Sequence, residues 1–394
     1  TDDFQMPGVP DMRDPYPGLM AAALEHPVQH LGAMQLYAMP GEHDVYLVYR
    51  HEQVVEVLRD EARFSTSPQA DIVGPVMGRT MLEMTGEEHK RYRGLVAQAF
   101  RPKVLERWKT ELIEPAVHGL IDGFADRGSA DLVAELNFHY PARVIARILG
   151  LPDDDLPRFH HWAVSIISYA ARKQAGLAAA AELREYLAPF VAARRADPQD
   201  DLISQLVTAD LDGDHLTDEE LYPFLLLLLP AGVETTYRAL GNLQLGLLSS
   251  PSQLAAVRAD RALVAAAVEE ALRWEPPIPM LTRASTCPTT LGGAEIVEDA
   301  LVTVCPGTAN RDPDVWPDGE VYDLERPRRQ HLTFGFGAHM CLGAHLARLE
   351  MVTALEALLD RLPGLRLDPD AEDVHVHGMA FRSPLSVPVV WDAA

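Results

Sequence analysis

The chain has 394 residues, 47% of them hydrophobic and 23% charged, an ordinary globular composition long enough to bury a large core. Its net charge of −24 argues against a nucleic-acid partner. The three cysteines, Cys287, Cys305 and Cys341, show no CxxC spacing, which speaks against a zinc site or a disulfide framework and fits a reducing cytoplasm.

The start, Thr1-Asp2-Asp3-Phe4-Gln5-Met6-Pro7, is acidic and proline-rich, with no secretory pattern. Val45–Tyr49 reads as a short strand. Helices are expected at about 51–59, 87–98, 103–125, 139–149, 156–171, 176–195 and 200–209, each bounded by Pro, Gly or Asp. Thr217-Asp218-Glu219-Glu220 is a capping-box sequence, and nothing stops its helix before Ser249-Ser250-Pro251. A helix of roughly 32 residues is near 50 Å long, the length of a central beam. Its apolar run, Phe224 to Val233, contains Pro230 and is shorter than the roughly 18 residues of a membrane span. A further helix ends at Trp274, before Glu275-Pro276-Pro277. Thr289–Ile296 reads as a hairpin with a Gly-Gly turn, and Leu301–Cys305 as a strand. The last helix covers about 343–361, with strand-like segments near 374–377 and 386–391. The fold class is therefore mainly α with small β-sheets. No linker or repeat divides the chain, so residues 1–394 read as a single domain. Lysine occurs only at Lys90, Lys103, Lys109 and Lys173; with abundant alanine, this arginine bias points to GC-rich coding and a bacterial source.

Four segments carry chemistry. Phe334-Gly335-Phe336-Gly337-Ala338-His339-Met340-Cys341-Leu342-Gly343 places one cysteine at the end of a glycine-rich loop, directly before a helix. Helix N-termini favour a thiolate, and the glycines let backbone approach a flat ligand; the bland alternative is an inert buried thiol. Pro230-Ala231-Gly232-Val233-Glu234-Thr235-Thr236 should kink the long helix, because Pro230 cannot donate to the Leu226 carbonyl and Thr235 can bond back to a carbonyl. That kink opens a groove or merely bends a core helix. Glu270 and Arg273 share a helix face at i, i+3, as a solvated pair or a buried one. His89-Lys90-Arg91-Tyr92-Arg93 opens an amphipathic helix with a basic face. His89 and His339 lack neighbours at chelating spacing, and His160-His161 and His375/His377 read as surface residues.

Together these motifs resemble the cytochrome P-450 family, in family order: His89/Arg93, Glu234/Thr235, Glu270/Arg273, Asn310-Arg311-Asp312-Pro313, Arg326, then the Cys341 loop. The resemblance covers most of the chain. It implies a single triangular-prism domain with a long central helix and non-covalent haem b. Cys341 would be the iron ligand, with Ala231, Phe334, Gly335 and Gly343 against the haem. His89, Arg93, Arg283 and His339 would reach the propionates. Glu234 and Thr235 would be the acid–alcohol pair of oxygen activation, with glutamate where aspartate is commoner. Glu270, Arg273 and Arg326 would form a buried structural network; tyrosine at Tyr322 departs from the usual phenylalanine. Leu227, Ala231, Thr235, Pro279, Leu281, Met379, Ala380 and Phe381 would line the substrate pocket, with the loop from about Pro68 to Met81. The implied activity is insertion of one atom of O2 into a C–H or C=C bond of an apolar small molecule.

The chain has no dinucleotide fingerprint and no iron–sulfur cysteine cluster, so electrons must come from elsewhere. The resemblance implies a ferredoxin with its NAD(P)H reductase. Lys90, Arg91, Arg101, Lys103, Arg107 and Lys109 would be the basic dock for that acidic partner, if their face covers the cysteine side. A cytoplasmic monomer without a membrane anchor is expected. The rival readings are a peroxide-driven haem enzyme, a non-catalytic haem-binding or sensor protein, and a haem-free helical binding module in which Cys341 is structural.

Overall fold

A computed structural model describes residues 12–35 and 39–392; the acidic, proline-rich start lies outside them. The long helix spans Asp218–Leu248. Its N-terminus is fixed by Glu220, whose carboxylate accepts the Thr217 backbone N–H at 2.9 Å. At about 1.5 Å per residue it extends roughly 46 Å. From Leu221 to Leu248 every residue is buried except Ala231, Gly232 and Thr235, so the helix runs through the interior and faces open space only at that one place. The helix continues unbroken through Pro223 and Pro230; the expected disturbance appears as this local opening.

Around the beam pack helices Tyr140–Ile148, Leu156–Ile167, Lys173–Ala196, Val264–Trp274 and Ala344–Arg361, each burying an apolar face in one continuous core. The helix expected over 103–125 is divided. Pro102–Trp108 and Glu114–Ile121 flank a widened π-type turn at Lys109–Ile113. Pro115 explains the break: it has no N–H to donate, and its ring crowds the preceding turn.

A five-stranded sheet lies apart from the bundle. Its order is Val28–Met34, His43–Val48, Leu301–Val304, Leu281–Ser285 and Phe64–Ser65. The pairing of His43–Val48 with Leu301–Val304 is parallel and the others are antiparallel. Leu301–Val304 is buried at all four positions, as a strand covered on both faces must be. Gly292 and Gly293, with φ of 55° and 83°, close the expected hairpin between Thr289–Leu291 and Ala294–Ile296. Strand Pro388–Val390 lies between Ser129–Asp131 and Arg366–Leu367. Val376–His377 pairs with Ser383–Pro384, so residues 378–382 form a turn. Helix Tyr16–Glu25 and strand Val28–Met34 were not legible, since neither carries a clean period. Among the described residues, no helix is long and apolar enough to cross a membrane.

Candidate functional site

The cysteine loop is held by its own backbone. Gly335 N–H donates to the Leu332 carbonyl at 2.9 Å, and Cys341 N–H donates to the Phe334 carbonyl at 2.8 Å. Gly335 and Gly337 take φ of 72° and 73°, where a side chain is strained. A Cβ on Gly337 would lie 2.6 Å from the Leu58 carbonyl oxygen, so the loop also packs against helix His51–Arg59. Gly343 adjoins the sulfur: a Cβ there would be 4.0 Å from Cys341 Sγ. Arg93 anchors the loop from outside, donating to the Met340 carbonyl at 2.7 Å.

Cys341 has exposed surface, yet burial is the leading influence on its thiol and raises its pKa. The Gly343 N–H, Arg93, Arg348 and the Ala344 N–H pull in the opposite direction without winning. A cation at the sulfur would add to the preference for a thiolate at this helix start.

Behind the loop, Glu270, Arg273 and Arg326 meet in a buried network. Arg273 Nε and Nη2 donate to Glu270 at 2.9 and 2.7 Å, and Arg326 Nε reaches the same carboxylate at 3.2 Å. Arg273 also donates to the carbonyls of Asn310, Gly319 and Val321 at 2.9, 2.6 and 2.9 Å. Asn310 carries the restraint forward, accepting the Leu332 N–H at 2.8 Å and donating to Thr333 at 3.0 Å. Tyr322 uses its hydroxyl, donating to the Ala267 carbonyl at 3.0 Å.

Four donors gather beside the loop. His89 and His339 stack with ring centroids 4.0 Å apart, and each Nε2 is buried without a hydrogen-bond partner among the described residues. Arg93 and Arg283 face them; Arg283, on strand Leu281–Ser285, is buried and pushed down to about 10 by that burial, with Glu61 opposing. Burial, reinforced by His89, Arg283 and Arg93, drives His339 down to about 3. The sequence missed Glu61. Its Oε1, also buried and unpartnered, lies 3.4 Å from His339 Nε2, and the three acceptor or donor atoms of Glu61, His89 and His339 fall within 4.8 Å of one another. The expectation that these histidines lack chelating neighbours is corrected: tertiary packing brings in an acid remote in sequence from both.

On the long helix, Thr235 Oγ1 donates to the Ala231 carbonyl at 2.8 Å. Leu227, Ala231 and Thr235 are spaced to share one helix face, and the latter two border the opening. Glu234 faces elsewhere. It is 1% exposed, and its Oε1 accepts from both Nε and Nη2 of Arg238 at 2.8 and 2.5 Å. Arg238 Nη1 donates to Ser383 Oγ at 3.1 Å, and the guanidinium lies 5.3 Å from the Phe381 ring centroid. The acid of the Glu-Thr pair is thereby tied to the turn that holds Met379 and Ala380. The pattern Glu-x-x-x-Arg at 234 and 238 was a readable signal for this pair.

That turn is fastened again by Arg382. It pairs with Glu275 at 2.7 Å and donates to the carbonyls of Gly378, Met12 and Arg13 at 2.6, 3.0 and 2.9 Å. Tyr16 hydroxyl donates to Glu275 at 2.7 Å. Met379 is half-buried and Ala380 exposed. Leu281 is half-buried, whereas Pro279 is buried and its carbonyl accepts the Gly307 N–H at 3.2 Å, a packing role.

Within the basic cluster, Arg91 pairs with Asp214 and Glu220, Lys90 with Glu87, Arg107 with Asp200, and Lys109 with Glu114. Of the six, Arg101 and Lys103 are exposed outside these pairs. His160 is no surface residue: it is buried and stacked on Phe138 at 4.1 Å, and that burial pushes it down to about 4. The side cleft it lines with Phe138, His161 and Arg172, of about 340 Å³, contains none of the site residues.

The cytochrome P450 family model matches residues 159–370. Nocardicin C N-oxygenase of Nocardia uniformis subsp. tsuyamanensis is 37% identical, covering 99% of this chain and 99% of its own. Cytochrome P450 monooxygenase PikC of Streptomyces venezuelae is 36% identical over 96% and 91% of the two chains. Among solved structures, the Bacillus subtilis bacillaene polyketide synthase cytochrome P450 PksS superposes with a TM-score of 0.88 at 30% identity, over 96% and 97% of the chains. Fold, sequence and relatives agree: the chain belongs to the cytochrome P450 family and is a haem-dependent monooxygenase.

Proposed function

We propose that Cys341 would hold the iron of a haem b, and that the enzyme oxidises an apolar molecule of natural-product size with electrons from a separate ferredoxin and its NAD(P)H reductase. The observation that carries the haem assignment is the group of unpartnered buried donors, His89 Nε2 and His339 Nε2, beside Arg93 and Arg283 and within one loop of Cys341. Hydrogen-bond donors buried without acceptors are costly, and two haem carboxylates would satisfy them. Arg93, which donates to the Met340 carbonyl, sets Cys341 beside the same donors.

Bound haem supplies the oxygen chemistry, placing one atom of O2 on the substrate. The chain supplies position and protons. Arg93, Arg283, His89 and His339 bind and orient the carboxylates. The Glu270–Arg273–Arg326 network holds the loop, through Asn310 and Leu332. Thr235 holds a proton at Oγ1, and the Ala231 carbonyl is its resting acceptor. Glu234 is the buried acid next to it in the chain, held by Arg238. Leu227, Ala231, Leu281, Met379 and Ala380 offer an apolar wall that grips a substrate by shape. The names of the relatives support this size class: they include Mycinamicin IV hydroxylase/epoxidase of Micromonospora griseorubida, and a Bacillus megaterium P450 was solved with testosterone. For the ferredoxin, Arg59 over the Phe336 ring at 5.1 Å, with exposed His345 just after Cys341, supports docking at the cysteine loop.

The test is the spectrum of the reduced CO complex. Wild type should show the strongly red-shifted Soret band of thiolate ligation, and Cys341→Ser should lose it. A wild-type band at the position of histidine-ligated haem refutes the assignment. Turnover with peroxide but with no ferredoxin would refute the electron route. Thr235→Ala should keep the spectrum and divert reducing equivalents to peroxide; unchanged product per NAD(P)H removes Thr235 from the proton path.

A further inference from the structure

Glu61 sits where a haem-binding site needs no acid. It follows helix His51–Arg59, in the turn Asp60-Glu61-Ala62-Arg63. The other acids of this region are used: Arg63 pairs with Asp60 and Glu56, both at 2.7 Å. Among the described residues, Glu61 has no arginine at ion-pair distance. Its Oε1 is buried, makes no hydrogen bond, and points to the same small volume as His89 Nε2 and His339 Nε2.

A divalent metal is a poor explanation for this trio. The two imidazole planes are stacked, 26° apart with centroids at 4.0 Å. Stacked rings direct their nitrogen lone pairs nearly side by side, whereas two ligands of one tetrahedral ion must converge on it. The surroundings instead combine two guanidinium cations, Arg93 and Arg283, with two imidazole donors. Helix Gly86–Val96 contributes His89 and Arg93, strand Leu281–Ser285 contributes Arg283, and the cysteine loop contributes His339. Two arginines would balance two carboxylates of a bound haem. Glu61 adds a third.

We infer that Glu61 sets the charge at the haem edge: its carboxylate competes with the haem carboxylates for His89, His339 and Arg283, and so weakens haem retention and lowers the reduction potential of the iron. This rests on the haem site proposed above. The sign follows from Coulomb's law. Ferric haem carries one more positive charge than ferrous haem, so a nearby fixed negative charge favours the ferric form. Water and salt screen such a charge at an exposed site, but the atom involved here is buried. Removing the charge should make reduction easier and lessen repulsion of the haem carboxylates. Glu61 thereby opposes the arginines that hold the cofactor, and a substrate-bound enzyme must overcome a lower starting potential before accepting an electron.

The experiment uses the haem-loaded wild type, Glu61→Gln and Glu61→Ala. The ferric/ferrous midpoint is measured by dye-mediated spectroelectrochemistry, and haem loss by transfer to excess apomyoglobin. Both variants should show an upward shift in midpoint and slower haem loss, with the reduced-CO band retained. Glu61→Gln keeps the side-chain shape, so an equal shift in both variants separates charge from packing. An unchanged or lowered midpoint with an intact CO band overturns the inference and leaves the haem-thiolate reading standing. A wild type without the thiolate band overturns both.

Discussion

Replacing Arg238 with methionine should expose how much the long helix depends on a single ion pair. The side chains of Glu234 and Arg238 are 2% and 8% exposed, so neither charge can turn to water. Methionine fills the volume but leaves the buried Glu234 carboxyl without its guanidinium partner, a loss that costs about 3–5 kcal/mol. Loss of the 3.1 Å bond to Ser383 adds about 1 kcal/mol. Against a total stability of about 5–15 kcal/mol, the urea midpoint should fall far enough to measure without abolishing folding. Glu234→Gln in the Arg238→Met background removes the buried charge and should recover more than half of the loss. The four-variant cycle, followed by tryptophan fluorescence in urea, gives the coupling directly. The reasoning fails if Arg238→Met costs less than about 1 kcal/mol, or if the double variant is no more stable than Arg238→Met alone.

Two further outcomes are expected. Gly337→Ala should destabilise the protein by more than about 1 kcal/mol and lower haem content, because φ is 73° and the new Cβ would sit 2.6 Å from the Leu58 carbonyl oxygen; equal unfolding temperatures and haem content would refute this. Glu269 should make the cysteine-loop helix acid-sensitive: burial pushes its carboxyl up, but His331 and Arg348 outweigh that and bring it from an ordinary value near 4.5 to about 2. A depressed folded value means its stabilisation is complete above pH 4.5 and is lost as pH falls toward 2. Glu269→Gln should therefore flatten the stability slope across that window; an unchanged slope would show that other carboxylates dominate it.

The residues that sequence could reveal are those whose partners lie close along the chain. Glu270 and Arg273 are three apart, Thr217 and Glu220 likewise, and the glycines of the cysteine loop flank Cys341. Periodicity found the long helix because its caps and its apolar run agree over many turns. What escaped depends on distant segments. Glu61 meets His339 across 278 positions by number, and no local pattern announces it. The basic cluster looked like a free surface because its acids, Asp214, Glu220 and Asp200, come from other elements. Cys341 shows the same limit: its helix N-terminus is visible in sequence, whereas the burial that raises the free thiol is not.

Arg382 has a consequence for handling the protein. By gripping the carbonyls of Met12 and Arg13, it latches the early segment of the chain to the turn beside the opening. That latch shuts a loop spanning 369 positions, and closure entropy rises only logarithmically with such length, so a few hydrogen bonds suffice to keep it shut. Trimming through Met12 and Arg13, or fusing a bulky tag immediately ahead of them, would therefore act on the turn that holds Met379 and Ala380 rather than on a spectator tail. How the gene is cloned would then reach that turn.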